Sequence, residues 1–167
     1  EVDTIFQLIC GSLMEQLDVM KAKKIRFLML GKRDGILQEH LDCLDYITEQ
    51  TSQDYKYTLI IAITYGGRSE IADTAKKIAL KVQNGELKPE QINEDIFAQN
   101  MYLPDIPDPD LLIRPGGEQR LSNFLPWQLT YTEFYFTPVY WPDFDEKELQ
   151  KAIDFYYSRN RRFGGIK

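Results

Sequence analysis

Hydrophobic positions along this chain follow two alternating patterns, and the alternation predicts the order of elements. Val2, Ile5, Phe6, Ile9, Leu13 and Leu17 recur at helical spacing, which predicts an amphipathic helix over residues 2–20. A short apolar run over 25–30 follows and reads as a strand ended by Gly31. A second helical pattern runs through Ile36, Leu37, Leu41, Leu44 and Ile47. Residues 57–64 are β-branched and nearly all apolar, the composition of a parallel strand covered on both faces. Gly66-Gly67 then turns the chain into a third helix carrying Ile71, Ile78 and Val82, which Asn84-Gly85 stops.

Pro89 opens a short helix to about residue 100, and a Pro/Asp loop spans 104–109. Leu111-Leu112-Ile113 reads as the next strand. Asp145, with Glu148 three residues on, marks the start of a last helix through Leu149, Ile153 and Tyr156, and Gly164-Gly165 marks its end. Strand-helix alternation of this kind predicts a single α/β domain over 1–167, with a mainly parallel central sheet flanked by helices. In such sheets ligands sit beyond the carboxyl ends of strands. That places Tyr65-Gly66-Gly67-Arg68 and the run from Arg114 to Asn123 at one edge.

Composition narrows the function classes. Hydrophobic residues at 43% and charged residues at 28% are ordinary for a globular protein. No apolar stretch approaches the roughly 20 residues that span a bilayer, and no secretory leader pattern is present. The two cysteines, Cys10 and Cys43, form no CxxC, and with the single His40 they do not assemble a zinc site. They read as reduced thiols of a cytoplasmic protein. The net charge of −6 makes nucleic acid a poor partner, so any cationic chemistry is local.

Two loops carry such chemistry. In Arg114-Pro115-Gly116-Gly117-Glu118-Gln119-Arg120-Leu121-Ser122-Asn123 two arginines flank a Gly-Gly pair, and a hydroxyl follows. Glycines let backbone N–H groups approach an anion, and arginine offers planar forks that fit phosphate oxygens. The run therefore describes either a diphosphate site or an ordinary glycine turn with two surface arginines. Gly66-Gly67-Arg68 is weaker alone, and neither loop has Walker or GxGxxG spacing.

Nine of the 21 aromatics lie in residues 124–144, which reads as core, subunit interface or both. Glu133 sits among them. A carboxylate in such a run either pairs with a cation or holds a hard divalent ion beside the diphosphate loop. The basic tail Arg159-Asn160-Arg161-Arg162 complements a helix C-terminus or adds charge to an anionic substrate site.

These residues together resemble a known family. DLLIRPGGEQRLSNFLPWQLTYTEFYFTPVYWPDF, the later RRFGG and the upstream ITYGGRSEIADTAKKIA are similar to the motifs of the cis-prenyltransferases, and of bacterial undecaprenyl diphosphate synthase in particular. The likeness covers essentially the whole chain.

It implies a homodimeric α/β enzyme that condenses isopentenyl diphosphate with an allylic diphosphate such as farnesyl diphosphate. The product would be a long-chain polyprenyl lipid carrier, which implies transient contact with a membrane surface. The resemblance further implies that Arg114, Arg120, Leu121 and Ser122 hold the isopentenyl diphosphate. Glu133 would be a Mg²⁺ ligand reached across the dimer interface, and Arg162 and Gly164 a C-terminal element that closes the neighbouring site. The family's catalytic aspartate belongs to an Asp-Gly-Asn loop that would lie upstream of Glu1. The chain is therefore expected to be inactive by itself, with its catalytic residue unknown. Pro115, Gln119 and Thr64 depart from frequent Thr, His and Asn. A non-catalytic subunit of a heteromeric prenyltransferase and an unrelated diphosphate-binding module are the competing readings.

Overall fold

A computed structural model describes residues 2–159. The chain forms two compact units, residues 1–65 and 66–167. Each contains one parallel two-stranded ladder. The expected α/β class with parallel strands holds.

In the first unit, helix α1 (Val2–Ala22) leads to β1 (Ile25–Leu30), α2 (Gln38–Gln50) and β2 (Tyr57–Ala62). β1 and β2 pair in parallel from Ile25↔Tyr57 to Leu30↔Ala62. The core is built from one stripe of α1, namely Phe6, Cys10, Leu13, Leu17 and Met20, with Phe27 of β1 and Leu44 and Ile47 of α2. That stripe repeats at alternating steps of four and three, as a helix face must. The apolar arc of α1 is wider than this face, so Ile5 and Leu8 remain exposed. Thr51 fastens the end of α2 to β1, since its hydroxyl accepts the Phe27 N–H at 2.9 Å and donates to the Ile47 carbonyl at 2.8 Å. A Cβ on Gly31 would lie 1.8 Å from the Ile63 carbonyl oxygen, which is why the turn after β1 requires glycine.

One expectation fails here. Strand β2 is not covered on both faces, because Tyr57 and Leu59, alternate residues on one face, are exposed. An apolar composition shows that a strand prefers burial and does not say which element buries it.

The second unit holds α3 (Gly67–Gln83), α4 (Glu94–Ala98), β3 (Leu111–Arg114), β4 (Glu133–Phe136) and α5 (Glu146–Ser158). The expected helix from Pro89 divides into a 3₁₀ turn at Pro89–Gln91 and α4. Asn93 causes the division, because its side chain caps a new helix by accepting the Ile96 N–H at 2.9 Å. Strand β4 was not expected. It pairs with β3 from Leu111↔Glu133 to Arg114↔Phe136. Asp145 caps α5 as expected, accepting the Glu148 N–H at 3.0 Å. Tyr135 of β4 packs on Phe155 of α5 with ring centroids 5.4 Å apart. The Gly164-Gly165 stop lies outside the described residues. Among the described residues no helix is long and apolar enough to cross a membrane.

Candidate functional site

The site grows from the end of β3. Arg114 is the last strand residue, and Pro115 leads into Gly116 and Gly117, both at positive φ (92° and 81°). Their N–H groups do not face an anion. Gly116 donates to the Val139 carbonyl at 2.8 Å and Gly117 to the Thr137 carbonyl at 2.9 Å. The chain leaving β4 therefore uses the donors that a glycine nest would have offered, and the nest reading is corrected. The glycines shape the turn, and the charge comes from side chains.

Those side chains converge. The Arg114 guanidinium donates to the Arg120 carbonyl and lies 3.3 Å from the Ser122 hydroxyl. Arg120 pairs with Glu118. A cavity of about 200 Å³ opens among Leu112, Arg114, Pro115, Arg120, Leu121 and Phe124. Two cations and an apolar wall share it, a lining suited to an anion carrying a hydrocarbon group. Ser122, Asn123 and Leu125 all adopt positive φ (49°, 66° and 47°). Non-glycine residues hold such a conformation only where the surroundings enforce it.

Asn123 supplies much of that enforcement. Its carbonyl accepts the Gly67 N–H at 2.8 Å and its side-chain oxygen accepts the Arg68 N–H at 2.9 Å. The first two donors of α3 are thus satisfied by the loop that runs from Arg114 to Asn123. The two loops expected at one edge do meet, through Gly67, Arg68 and Asn123. Gly67 is obligatory at the junction, because a Cβ there would lie 2.0 Å from Pro126 Cδ.

Reading the residues alone missed Glu70. Its side chain is fully buried, at 0% exposure, one turn into α3. One carboxylate oxygen accepts the Tyr102 N–H at 3.0 Å and the other accepts the Gln128 amide at 3.1 Å. The Tyr102 hydroxyl donates to Asp73 at 2.5 Å. A buried carboxylate is stable only with such partners. Through them Glu70 ties α3 to both segments that flank the loop's ladder. The available signal was an acidic residue just inside a helix that follows Gly-Gly, which ordinarily reads as a dipole partner.

Glu133 lies at the other end of the ladder. It pairs with Leu111, whereas Arg114 pairs with Phe136. Three steps of strand separate the two positions, about 10 Å. Within one chain, then, the structure brings Arg114, Arg120, Leu121 and Ser122 together and leaves Glu133 apart. The Glu133 carboxylate is 20% exposed and lies 3.1 Å from Arg159 Nε. Of the two alternatives for this carboxylate, the cation partner is present. Its hard oxygens also suit Mg²⁺, which typically takes one or two carboxylates with the rest from phosphate and water. Among the described residues the grouping of three ligand-type side chains is elsewhere, at Asp3, Glu39 and His40 in the first unit. There His40 Nε2 lies 2.5 Å from Asp3, and both acids occupy first helical turns. Arg162 and Gly164 lie outside the described residues.

The cysteines, far apart in sequence, are neighbours in the first unit. Burial, with a contribution from Cys43, pushes the Cys10 thiol up to about 12. Such a thiol stays protonated and unreactive near neutrality.

Comparison with known proteins covers nearly the whole sequence. Residues 1–164 match the prenyltransferase family described as undecaprenyl diphosphate synthase. An isoprenyl transferase of Heliobacterium mobile is 42% identical over 167 residues, 100% of this chain and 64% of that protein. One from Streptococcus thermophilus is 47% identical over 146 residues, 85% of this chain and 59% of that protein. The chain thus spans a little under two thirds of the length of these curated relatives. A solved lavandulyl diphosphate synthase of Lavandula x intermedia, in complex with dimethylallyl diphosphate, superposes with a TM-score of 0.91 at 38% identity, covering 99% of this chain and 72% of that one. A probable undecaprenyl diphosphate synthase of Campylobacter jejuni gives 0.84 at 32%, covering 99% and 75%.

Proposed function

The chain belongs to the undecaprenyl diphosphate synthase family of prenyltransferases, and from that premise we propose that residues 1–167 are the isopentenyl-diphosphate-binding portion of a cis-prenyltransferase. The observation that carries the reading is the convergence of Arg114 and Arg120 on a cavity walled by Leu112, Leu121 and Phe124, with the Ser122 hydroxyl 3.3 Å from the Arg114 guanidinium. The arginines hold the diphosphate through charge-assisted hydrogen bonds, and the apolar wall accepts the five-carbon group. Binding in this way orients the isopentenyl double bond toward an allylic diphosphate such as farnesyl diphosphate. The double bond attacks the allylic carbon, the carbon–oxygen bond to the leaving diphosphate breaks, and a proton is lost from the isopentenyl unit. These residues contribute position and charge and form no covalent intermediate.

Glu133 is the Mg²⁺ ligand in this reading. Bound there, Mg²⁺ supplies neutralising charge for a diphosphate group. In this reading Glu133, at the far end of the ladder from Arg114, serves the loop of a second copy, and the working unit is a homodimer. Arg162 and Gly164 complete the neighbouring site. A cytoplasmic enzyme that releases a polyprenyl lipid also touches a membrane surface.

Calorimetry on this chain tests the reading. Isopentenyl diphosphate should bind more tightly than inorganic diphosphate, and Arg114→Gln should weaken both. Equal affinity for the two ligands would leave a diphosphate-binding module without isoprenoid preference, and the proposal would fall.

A further inference from the structure

Basic side chains in residues 1–65 concentrate at one end, where five of them stand against Asp18, Glu49 and Asp54. Lys21 closes the last turn of α1, Lys23 and Lys24 follow it, Arg26 lies in β1 and Lys56 precedes β2. Only Lys32 and Arg33 lie elsewhere in this stretch. Asp3, Glu39 and Asp42 lie where α1 and α2 begin, the two starts being joined through Asp3 and His40.

The basic end is a built surface. The Lys24 carbonyl accepts the N–H groups of Lys56 at 2.7 Å and Tyr57 at 3.0 Å, which holds the two lysine-bearing segments side by side. Tyr55 and Tyr57 are 45% and 55% exposed. The Arg26 guanidinium lies 4.1 Å from the Tyr55 ring centroid, and the Lys56 ammonium 5.3 Å from that of Tyr57. Lys21 and Lys24 also line a cavity of about 360 Å³ with Gln53, Asp54 and Tyr55. Asp54, the carboxylate in that lining, pairs with Lys24 at 3.0 Å. Lys21 is favourable at a helix C-terminus, but the helix dipole gives no account of Arg26 and Lys56 in the strand region.

We propose that this basic, tyrosine-bearing end docks on an anionic lipid bilayer. A polyanion that wraps the chain would meet its net charge of −6. A planar anionic surface meets only what lies within the Debye length, about 8–10 Å, and therefore meets the lysines. Tyrosine favours the headgroup level, with its ring in the apolar boundary and its hydroxyl in water. Juxtaposed lysines each add roughly 1 kcal/mol near such a surface, about a fivefold gain in partition. The inference deepens the membrane contact proposed above, and it rests on that reading only for its purpose. The assay contains no diphosphate, so its failure and the failure of the site reading are distinguishable.

The test is co-sedimentation of this chain with vesicles of phosphatidylcholine alone and of phosphatidylcholine mixed with phosphatidylglycerol. Binding should require phosphatidylglycerol and should disappear at high salt. The double substitution K23Q/K56Q should lower partition by roughly 25-fold, with an unchanged thermal melt because both side chains are exposed. K76Q/K81Q, which removes the same charge from α3, should leave binding within about twofold. Equal binding to both vesicle types would overturn the proposal. So would wild-type binding by K23Q/K56Q, or an equal loss in K76Q/K81Q.

Discussion

The two parallel ladders differ in what closes them. β1 and β2 share six paired positions and sit beside one apolar cluster, where Phe27, Leu44 and Ile47 are almost wholly buried. β3 and β4 share four, and every residue of both strands is only half-buried. Around the second ladder the closure is polar. Asn123 caps α3, Glu70 holds Tyr102 and Gln128, and Gly116 and Gly117 bind the chain after β4. Apolar packing tolerates no cavity but is indifferent to direction, whereas hydrogen bonds fix direction at modest net energy. The first ladder is therefore suited to stability and the second to holding a charged loop in one shape.

That contrast sets the largest expected effect. Phe27→Ala should cost about 3–5 kcal/mol in guanidinium denaturation, the usual loss for a fully buried phenylalanine. A loss below about 1 kcal/mol would mean the first unit collapses around the void and is not packed as described. Gly67→Ala comes next. Its Cβ would meet the Pro126 ring, and overpacking of this kind costs about 1–3 kcal/mol. Because Gly67 also donates to Asn123, the loop should shift, and calorimetry should record at least a roughly tenfold loss of diphosphate affinity. Arg114→Gln should separate the two quantities. It should weaken diphosphate binding on the order of tenfold, with the denaturation midpoint nearly unmoved.

Much of this was legible in the residues. The order of α1, β1, α2, β2, α3, β3 and α5 followed from apolar spacing and from the glycine and Asp145 boundaries. The meeting of the Gly66-Gly67-Arg68 turn with the loop that ends at Asn123 followed from fold logic. Three features were hidden for definite reasons. Strand β4 lies inside an aromatic run whose composition signals burial without a period. The exposed face of β2 depends on which neighbour covers it, and sequence does not state that. The donors of Gly116 and Gly117 are used by carbonyls some 20 residues downstream, at Thr137 and Val139, a pairing that exists only once β4 is placed.

The first ladder's apolar closure also predicts a pH effect. An ordinary thiol ionises near 9.0, whereas folded Cys10 holds its proton up to about 12. Below pH 9 both states are protonated and the group contributes nothing to the pH dependence. Above it the unfolded chain releases a proton that the folded chain keeps, so stability falls as pH rises from about 9 toward 12. The slope approaches about 1.4 kcal/mol per pH unit. Cys10→Ala should flatten that alkaline limb relative to the unsubstituted protein in denaturation at stepped pH. Parallel limbs would show that the thiol is not shielded by the core.

The smallest effect tests the contrast with a single kind of substitution. Gly11 lies in α1, is exposed, and would present a Cβ to nothing within 4 Å. Glycine inside a helix costs roughly 0.5–1 kcal/mol relative to alanine, because the unfolded chain loses more freedom on folding. Gly11→Ala should therefore stabilise by that amount, whereas the same change at Gly67 destabilises. The sign differs because one glycine borders solvent and the other borders the Pro126 ring and the Asn123 carbonyl. Diphosphate affinity should be unchanged in Gly11→Ala, since the added methyl touches no group of the loop. If Gly11→Ala were destabilising, α1 would be packed on the face that carries Ile5 and Leu8 as well as on the core stripe. The first unit would then owe its closure to contacts beyond its own apolar cluster.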